Sequence, residues 1–581
     1  MGFAVKLPRR RVLQAGGMAG LSLPVWLSGC ATTAPTPPAE LPATRPAVRM
    51  TTPKPMPMPM PVPPAATVSA PDPYAGDNPP PEPREFRAAW VATVANIDWP
   101  SRPGLSAAVM QREALAILDR AQTLGLNALI LQVRPACDAI FPSTLEPWTE
   151  FLSGEQGRAP WAAGEAPWDP LAFWVAEAHR RAIELHAWFN PYRARHSTAK
   201  SPIVTDHIAR RRPELVAQVG DQLWLDPGQP DSAAHTLAVV ADVVRRYDID
   251  AVHIDDYFYP YPVKVGGVDQ PFPDDVAWTR YKLDGGPIGS RDDWRRAQVD
   301  TLVQALHRTV QSIKPWVRFG ISPFGLPRPD RRPPGVVGFS QYDQLYADVE
   351  RWVENGWLDY LAPQLYWPIA RAGQPFAVLL DLWLAANPMQ RHIWPGLFTS
   401  RVINTARGGE VLGTNVWPGQ ELIDQVAVQR SRSKSGFSNG QGSSPDASTG
   451  NAMGANGHIH FSMVALMQDR DKLATRLQAS AYAEPALVPA TPWLPDALPS
   501  VLSAAPLLQA SGKQVLLRPS AGAVPRHWAV WLRREKRWHL QVLPGSRTAL
   551  DIQGADRVVA SAINRVGQAG PRAMLRLVPT S

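Results

Sequence analysis

The segment Asp250-Ala-Val-His-Ile-Asp-Asp-Tyr-Phe-Tyr-Pro260 concentrates side chains that can do chemistry. An apolar alternating run ends there in adjacent carboxylates, Asp255 and Asp256, followed by Tyr257, Phe258 and Tyr259. Two acids in apolar surroundings are costly unless paired, hydrogen-bonded or protonated. Such a pair suits glycoside hydrolysis, which uses one carboxyl as proton donor and another as nucleophile or base. The competing role is structural, with both aspartates capping the following loop. Strand alternation points Asp255 inward beside His253, while Asp256 starts the loop and orients a neighbour. Asp138 and Asp98 follow two earlier strands and compete for the part of second acid, each with loop capping or pairing with Arg134 as its alternative. Asp138 is grouped with Asp255 and Asp256 as catalytic. Asp98 joins the expected substrate-binding set.

That set also takes Trp188, Asn190, Tyr192 and Arg193 from His186-Ala-Trp-Phe-Asn-Pro-Tyr-Arg193, and Gln364, Tyr366 and Trp367 from Pro363-Gln-Leu-Tyr-Trp367. Flat aromatic faces stack on sugar rings, while Asn, Gln and Arg fix hydroxyls or N-acetyl groups. Arg134, Trp99, His253, Tyr257 and Tyr259 complete it. Core packing is the alternative for Trp188. His253-x-Asp255 could be half a metal site, but no second close His/Asp pair accompanies it. Neither metal nor cofactor is expected.

Positioning these residues falls to a regular alternation of elements. Runs rich in β-formers occur at 86–92, 127–133, 184–189, 249–254, 317–322, 358–366, 392–397 and 458–463, with helical patterns between them such as 107–124, 171–183, 232–247, 294–313 and 342–354. Crossovers of this length imply parallel pairing, and eight units predict a (β/α)8 barrel with long insertions. No GxGxxG follows the first strand, which argues against dinucleotide binding. Period-2 alternation puts Gln132 with Arg134, His186 with Trp188 and Asn190, His253 with Asp255, Gln364 with Tyr366, and His458 with His460 and Ser462 on shared faces. Five strands thus gather polar residues at the end where barrel enzymes place their sites.

The 581 residues carry 59 Lys plus Arg against 51 Asp plus Glu, a net charge of +8. That scattered excess, with no helix-turn-helix, RNP or P-loop signature, predicts no nucleic-acid partner. Two Cys build no disulfide scaffold. Residues 1–30 read as an export signal: Arg9-Arg10-Arg11 resembles a twin-arginine signal, and Leu27-Ser-Gly-Cys30 resembles a bacterial lipobox, making Cys30 the expected lipidation site. Ala31, in place of the Asp that signals inner-membrane retention, favours the outer membrane. Residues 31–80 are rich in Pro, Ala and Thr, with almost no bulky apolar side chains, and predict an extended tether holding a periplasm-facing body off the membrane. Residues 81–484 form the expected barrel, interrupted by a Ser/Gly/Asn-rich insertion at 431–456. Residues 485–581 carry short strands at sandwich-like spacing, and the run from Val558 to Gly567 resembles the last strands of a fibronectin type III domain.

Arg84-Glu-Phe-Arg-Ala-Ala-Trp-Val-Ala-Thr-Val-Ala-Asn-Ile-Asp-Trp-Pro100 resembles the opening of the glycosyl hydrolase-like 10 family, lipoproteins once called domain of unknown function 187. Gln132–Asp138, His186–Arg193, His253–Pro260, Gly320–Gly325 and Pro363–Trp367 match its further blocks in order. The resemblance covers about 84–470. It implies a TIM-barrel glycosidase acting on peptidoglycan glycan, including strands stripped of stem peptides, with cell-wall polysaccharide and wall-remodelling or cell-division proteins as partners. The competing class is a non-catalytic glycan-binding lipoprotein that recruits other wall enzymes. Two features depart from the family: Cys137 replaces its usual Gly, and the 431–456 insertion is unusual. Related barrels often place a Glu after the fifth strand, where this chain reads Ser322-Pro-Phe-Gly325 and leaves the proton donor unassigned.

Overall fold

The computed structural model describes residues 74–162, 164–404, 416–433, 455–520, 523–552 and 554–577. The export signal with Cys30, most of the tether and most of the 431–456 insertion lie outside the described residues.

Parallel strands β1 (Phe86–Val91), β2 (Ala128–Arg134), β3 (Glu184–Phe189), β4 (Ala251–Ile254), β5 (Arg318–Ile321), β6 (Tyr360–Leu361), β7 (His392–Ile393 continuing at Gly396–Leu397) and β8 (Gly457–His460) make the main sheet. Hydrogen bonding runs from the first piece of β7 through β6, β5, β4, β3, β2, β1 and β8 to its second piece. Both ends of that order belong to one short run, 392–397, so the sheet closes into a barrel. Around it lie α1 (Ala107–Leu124), α2 (Pro170–Arg180), α3 (Pro230–Arg246), α4 (Arg291–Ile313), α5 (Val349–Glu354), α6 (Phe376–Ala385), α7 (Gly419–Ser431) and α8 (Leu473–Ala479).

Local sequence explains these elements. In α1, Met110, Ala114, Ile117, Leu118 and Ala121 recur on one buried face, and Gly125 ends the helix at φ 75°. The expected helix over 342–354 is broken into Gln341–Gln344 and α5, with Tyr346 between them at φ 53°. Arg295 donates to the Tyr346 hydroxyl and lies 4.8 Å over its ring, which holds that turn. Leu129, Leu131, Leu185, Phe189, Val252 and Ile254 face the helix layer. Each such buried side chain contributes about 1.5–3 kcal/mol.

The barrel interior is aromatic and polar. Phe86 stacks on Trp394 at 3.7 Å. A chain of buried hydrogen bonds runs from the mouth to the floor, and its donors fix its direction. Trp90 Nε1 can only donate, so His253 Nε2 accepts (3.1 Å). His253 Nδ1–H then donates to the Tyr360 hydroxyl (2.9 Å), which donates to His186 Nδ1 (3.1 Å). His186 Nε2–H donates to Glu184 (3.2 Å), and Arg318 pairs with the same carboxylate at 2.9 Å. Burial holds the His253 imidazolium pKa well below its usual value, consistent with the neutral ring this chain needs.

One expected face is reversed. Strand β8 turns Ile459 into the barrel, while His458 and His460 point outward and both meet the Tyr482 hydroxyl. Gln429 of α7 and Thr399 complete their hydrogen bonds, so these histidines belong to the helix layer and not to the mouth.

The segment after α8 closes the floor. Val488 joins the interior cluster, and Thr491 Oγ1 accepts from Arg318 Nε (2.7 Å) and bonds His392 (3.2 Å). A β-sandwich follows: an antiparallel sheet of three strands (507–511, 514–518, 549–551) faces one of four (527–534, 537–544, 557–563, 573–576) across Val515, Leu517, Trp528, Val530 and Val558. Arg526 ties this module to Asp250 at the start of β4 (2.6 Å), and Arg565 ties it to Asp248 (2.7 Å).

Candidate active site

Strand β4 delivers Asp255 to the inner rim directly above His253, because Val252 and Ile254 take the outward positions. Asp255 is 6% exposed and Asp256 3%. The Asp256 backbone N–H donates to Asp255 Oδ1 (2.9 Å), and Gln364 Nε2 lies 3.4 Å from the same oxygen while donating to Ser322 O (3.0 Å). The Tyr261 hydroxyl donates to Asp256 Oδ2. Burial raises the Asp255 carboxyl pKa, against the pull of the Asp256 N–H and Arg193. Asp256 is pushed well above the carboxylate range by burial and then by the Asp255 charge, with Tyr261 opposing. Asp255 therefore ionises first and Asp256 keeps the proton.

Other expected residues gather around this pair. Arg193 lies 4.6 Å over the Tyr257 ring and donates to Pro135 O (3.1 Å). Trp188, on β3, lines the interior, and its Nε1–H has no protein hydrogen-bond partner. Gln132 Nε2 and Asn190 Oδ1, at the ends of β2 and β3, are likewise buried and unpartnered, although Gln132 Oε1 accepts from the Thr93 and Val94 amides. Buried polar atoms are ordinarily satisfied, so three such atoms at neighbouring strand ends mark a place for a polar ligand. Burial and the charges of the two aspartates raise the Tyr366 phenol, two residues beyond Gln364. Trp367 meets Phe324 edge-on at 5.5 Å. A Cβ at Gly325 would fall 2.2 Å from Gln364 O, so the Gly after Ser322-Pro-Phe lets the two loops close around the site.

Several expected residues lie elsewhere. Arg134 is fully buried, forks onto Glu146 (2.9 and 3.0 Å from Nε) and donates to Asn190 O and Pro191 O; it braces the rim and is not free to meet a sugar. Trp99 is buried against Trp174 at 5.4 Å and donates to Met110 O, so it is core and not a stacking platform. Tyr192 and Tyr259 are 0% and 1% exposed, packed in the outer core with unpartnered hydroxyls. Asp98 accepts from the Ala92 and Val464 amides and staples two rim loops; burial raises it to about 6. Asp138 accepts from the Ala136 amide beside a small crevice of about 10 Å³ shared with Glu150, Gln156 and His196, and burial lifts it to about 7. No hydrogen bond joins Asp138 to Asp255 or Asp256.

Sequence reasoning missed Tyr261, Phe324, Phe339, Phe398 and Phe461. Tyr261 stacks on Phe339 (5.2 Å), and Tyr366 packs with Phe398 (4.7 Å) and Phe461 (5.6 Å). All five are partly exposed, so half-open aromatic faces stand around the aspartates. Lone aromatics in loops carry no periodic signal. Among the described residues, no group of His, Cys, Asp and Glu is arranged to hold a metal ion.

Residues 85–412 match the model of the glycosyl hydrolase-like 10 family. The chain belongs to that family. It is 37% identical over 425 residues to the glycosyl hydrolase YngK of Bacillus subtilis, across 72% of this chain and 75% of that one. It is 35% identical over 349 residues to the glycosyl hydrolase DigH of Escherichia coli, across 56% of this chain and 76% of that one. Among solved structures, the PgaB (BpsB) glycoside hydrolase domain of Bordetella bronchiseptica is similar at 14% identity and a TM-score of 0.41, over 68% of this chain and 98% of that one. Within this glycosyl hydrolase-like 10 chain, the Asp255–Asp256 pair occupies the strand-end position at which barrel enzymes keep their chemistry.

Proposed function

We propose that this glycosyl hydrolase-like 10 protein cleaves bacterial cell-wall glycan, with peptide-free peptidoglycan strands as its substrate class. The observation that carries the reading is the Asp255–Asp256 pair, two buried carboxyls of unequal acidity at the inner end of β4. Glycosidases need such inequality, because one carboxyl must hold a proton while the other is charged. Asp255 faces the sugar as the working carboxylate, Asp256 holds the proton of the pair, and Gln364 orients Asp255. Gln132, Trp188 and Asn190 offer hydrogen bonds to sugar hydroxyls or N-acetyl groups.

The N-terminal residues complete the proposal. Acylation of Cys30 anchors the chain to the outer membrane, and the 31–80 tether lets the barrel reach the wall from the periplasmic side. Incubation of the purified protein with peptide-free glycan strands tests the function. New reducing ends and shortened products support hydrolysis. Retention on the strands without new ends supports the recruiting, non-catalytic role instead.

A further inference from the structure

Beyond the catalytic pair, one charged group at the mouth is unspent. Arg401 follows the second piece of β7, in the 3-10 turn Thr399–Arg401, and is partly exposed. Its guanidinium lies 5.0 Å over the Phe398 ring and makes no hydrogen bond or ion pair among the described residues. Its neighbour Arg470, by contrast, is bonded to Ser400 O (2.7 Å). Phe398 packs on Tyr366 at 4.7 Å, and Tyr366 stands two residues beyond Gln364, whose Nε2 lies 3.4 Å from Asp255 Oδ1. Asp255, Gln364, Tyr366, Phe398 and Arg401 therefore form one continuous line from the reacting carboxylates out along the rim.

We propose that Arg401, held on the Phe398 ring, forms a subsite for an acidic sugar, in which the guanidinium binds a carboxylate on it. Arginine is built for this task, because its planar fork presents paired donors to a carboxylate. The Phe398 ring holds the guanidinium 5.0 Å from its centroid, which reduces the ordering needed on binding. The inference rests on the cell-wall reading, where removal of the stem peptides leaves a free lactyl carboxylate on each muramic acid unit. It also gives a physical reason for a preference for stripped strands: a peptide on that carboxyl removes the charge Arg401 needs and adds bulk at the rim.

The test uses full-length Asp255→Asn protein, so that affinity is read without turnover. Its affinity for peptide-free strands is compared by calorimetry with its affinity for the same strands after carbodiimide coupling of their carboxylates to methylamine. The expected result is about tenfold tighter binding of the carboxylate form, the share of a charged hydrogen bond at a partly exposed site. Adding Arg401→Met brings that ratio close to one, and Arg401→Lys restores part of it. A uronic-acid oligomer serves as a third ligand: weaker binding than the wall strands assigns the subsite to the lactyl group, and equal or tighter binding overturns that assignment. Equal affinity for the two wall strands, or a ratio untouched by Arg401→Met, overturns the subsite. Discrimination that persists while the wild-type protein releases no reducing ends overturns the hydrolase reading and leaves the subsite standing.

Discussion

The Tyr360 hydroxyl stands 2.9 Å from His253 Nδ1 and 3.1 Å from His186 Nδ1, so one phenol joins the two histidines beneath the rim that carries Asp255. Its ring fills the space that any side chain at Gly320 would need, since a Cβ there would fall 2.1 Å from the ring. Tyr360→Phe keeps the packing and removes both hydrogen bonds, leaving two imidazole nitrogens unsatisfied in a dry interior. Unfolding in denaturant is expected to show a loss of about 2–4 kcal/mol. An unchanged midpoint would mean that the chain from Trp90 to Glu184 contributes nothing.

Cys137 adopts a left-handed backbone (φ 48°), and its Sγ lies 3.1 Å from Arg134 Nη2. The left-handed region disfavours a Cβ and disfavours a branched one most. Cys137→Gly is expected to stay within about 1 kcal/mol of the parent, because relief of strain offsets the freer unfolded chain. Cys137→Val should be at least ~2 kcal/mol less stable than Cys137→Gly. Thermal melts of the two variants check the order, and a more stable valine variant would contradict it.

The Tyr261 hydroxyl holds the Asp256 carboxyl down against burial and the Asp255 charge. Removing it in Tyr261→Phe raises Asp256 further, so its proton survives to higher pH. The alkaline limb of kcat/KM should shift upward. A downward shift, or none, would separate Asp256 from the active protonation state.

Asp138 gives a pH effect on stability instead. Its folded-state carboxyl is raised to about 7, so the native chain binds a proton that the unfolded chain has released. The associated stability is fully present below the ordinary carboxylate pKa and is lost as pH rises through 7. Asp138→Asn does not titrate, so its stability relative to the parent should improve between pH 4 and 8 by up to about 4 kcal/mol. Parallel curves for the two proteins would place Asp138 in a wetter setting than its burial implies.

Much of this architecture was legible in the chain. The inward set of β2, β3 and β4 could be read because Leu, Val, Ile and Phe occupy alternate positions and leave the others conspicuous. The same rule failed in β8, where His458 and His460 look like mouth residues until Tyr482, Gln429 and Thr399 supply partners from distant segments. Arg134 failed for a related reason: its partner Glu146 sits in the loop beyond β2, and nothing in the spacing announces a buried pair. Trp99 showed the ambiguity of a large aromatic, which suits a sugar or a core equally well. The near closure of the rim over Asp255 was not visible either, since it depends on how the Tyr257–Tyr261 and Phe324–Trp367 loops pack.

The central claim is that Asp255 carries the chemistry. Its most direct test is the initial rate at which new reducing ends form on peptide-free glycan strands, measured for the parent and for Asp255→Asn under conditions where both bind. The account predicts a fall of about a thousandfold or more with affinity retained, the scale expected when a reacting carboxyl is removed. A variant that cleaves at a rate close to the parent's would contradict it.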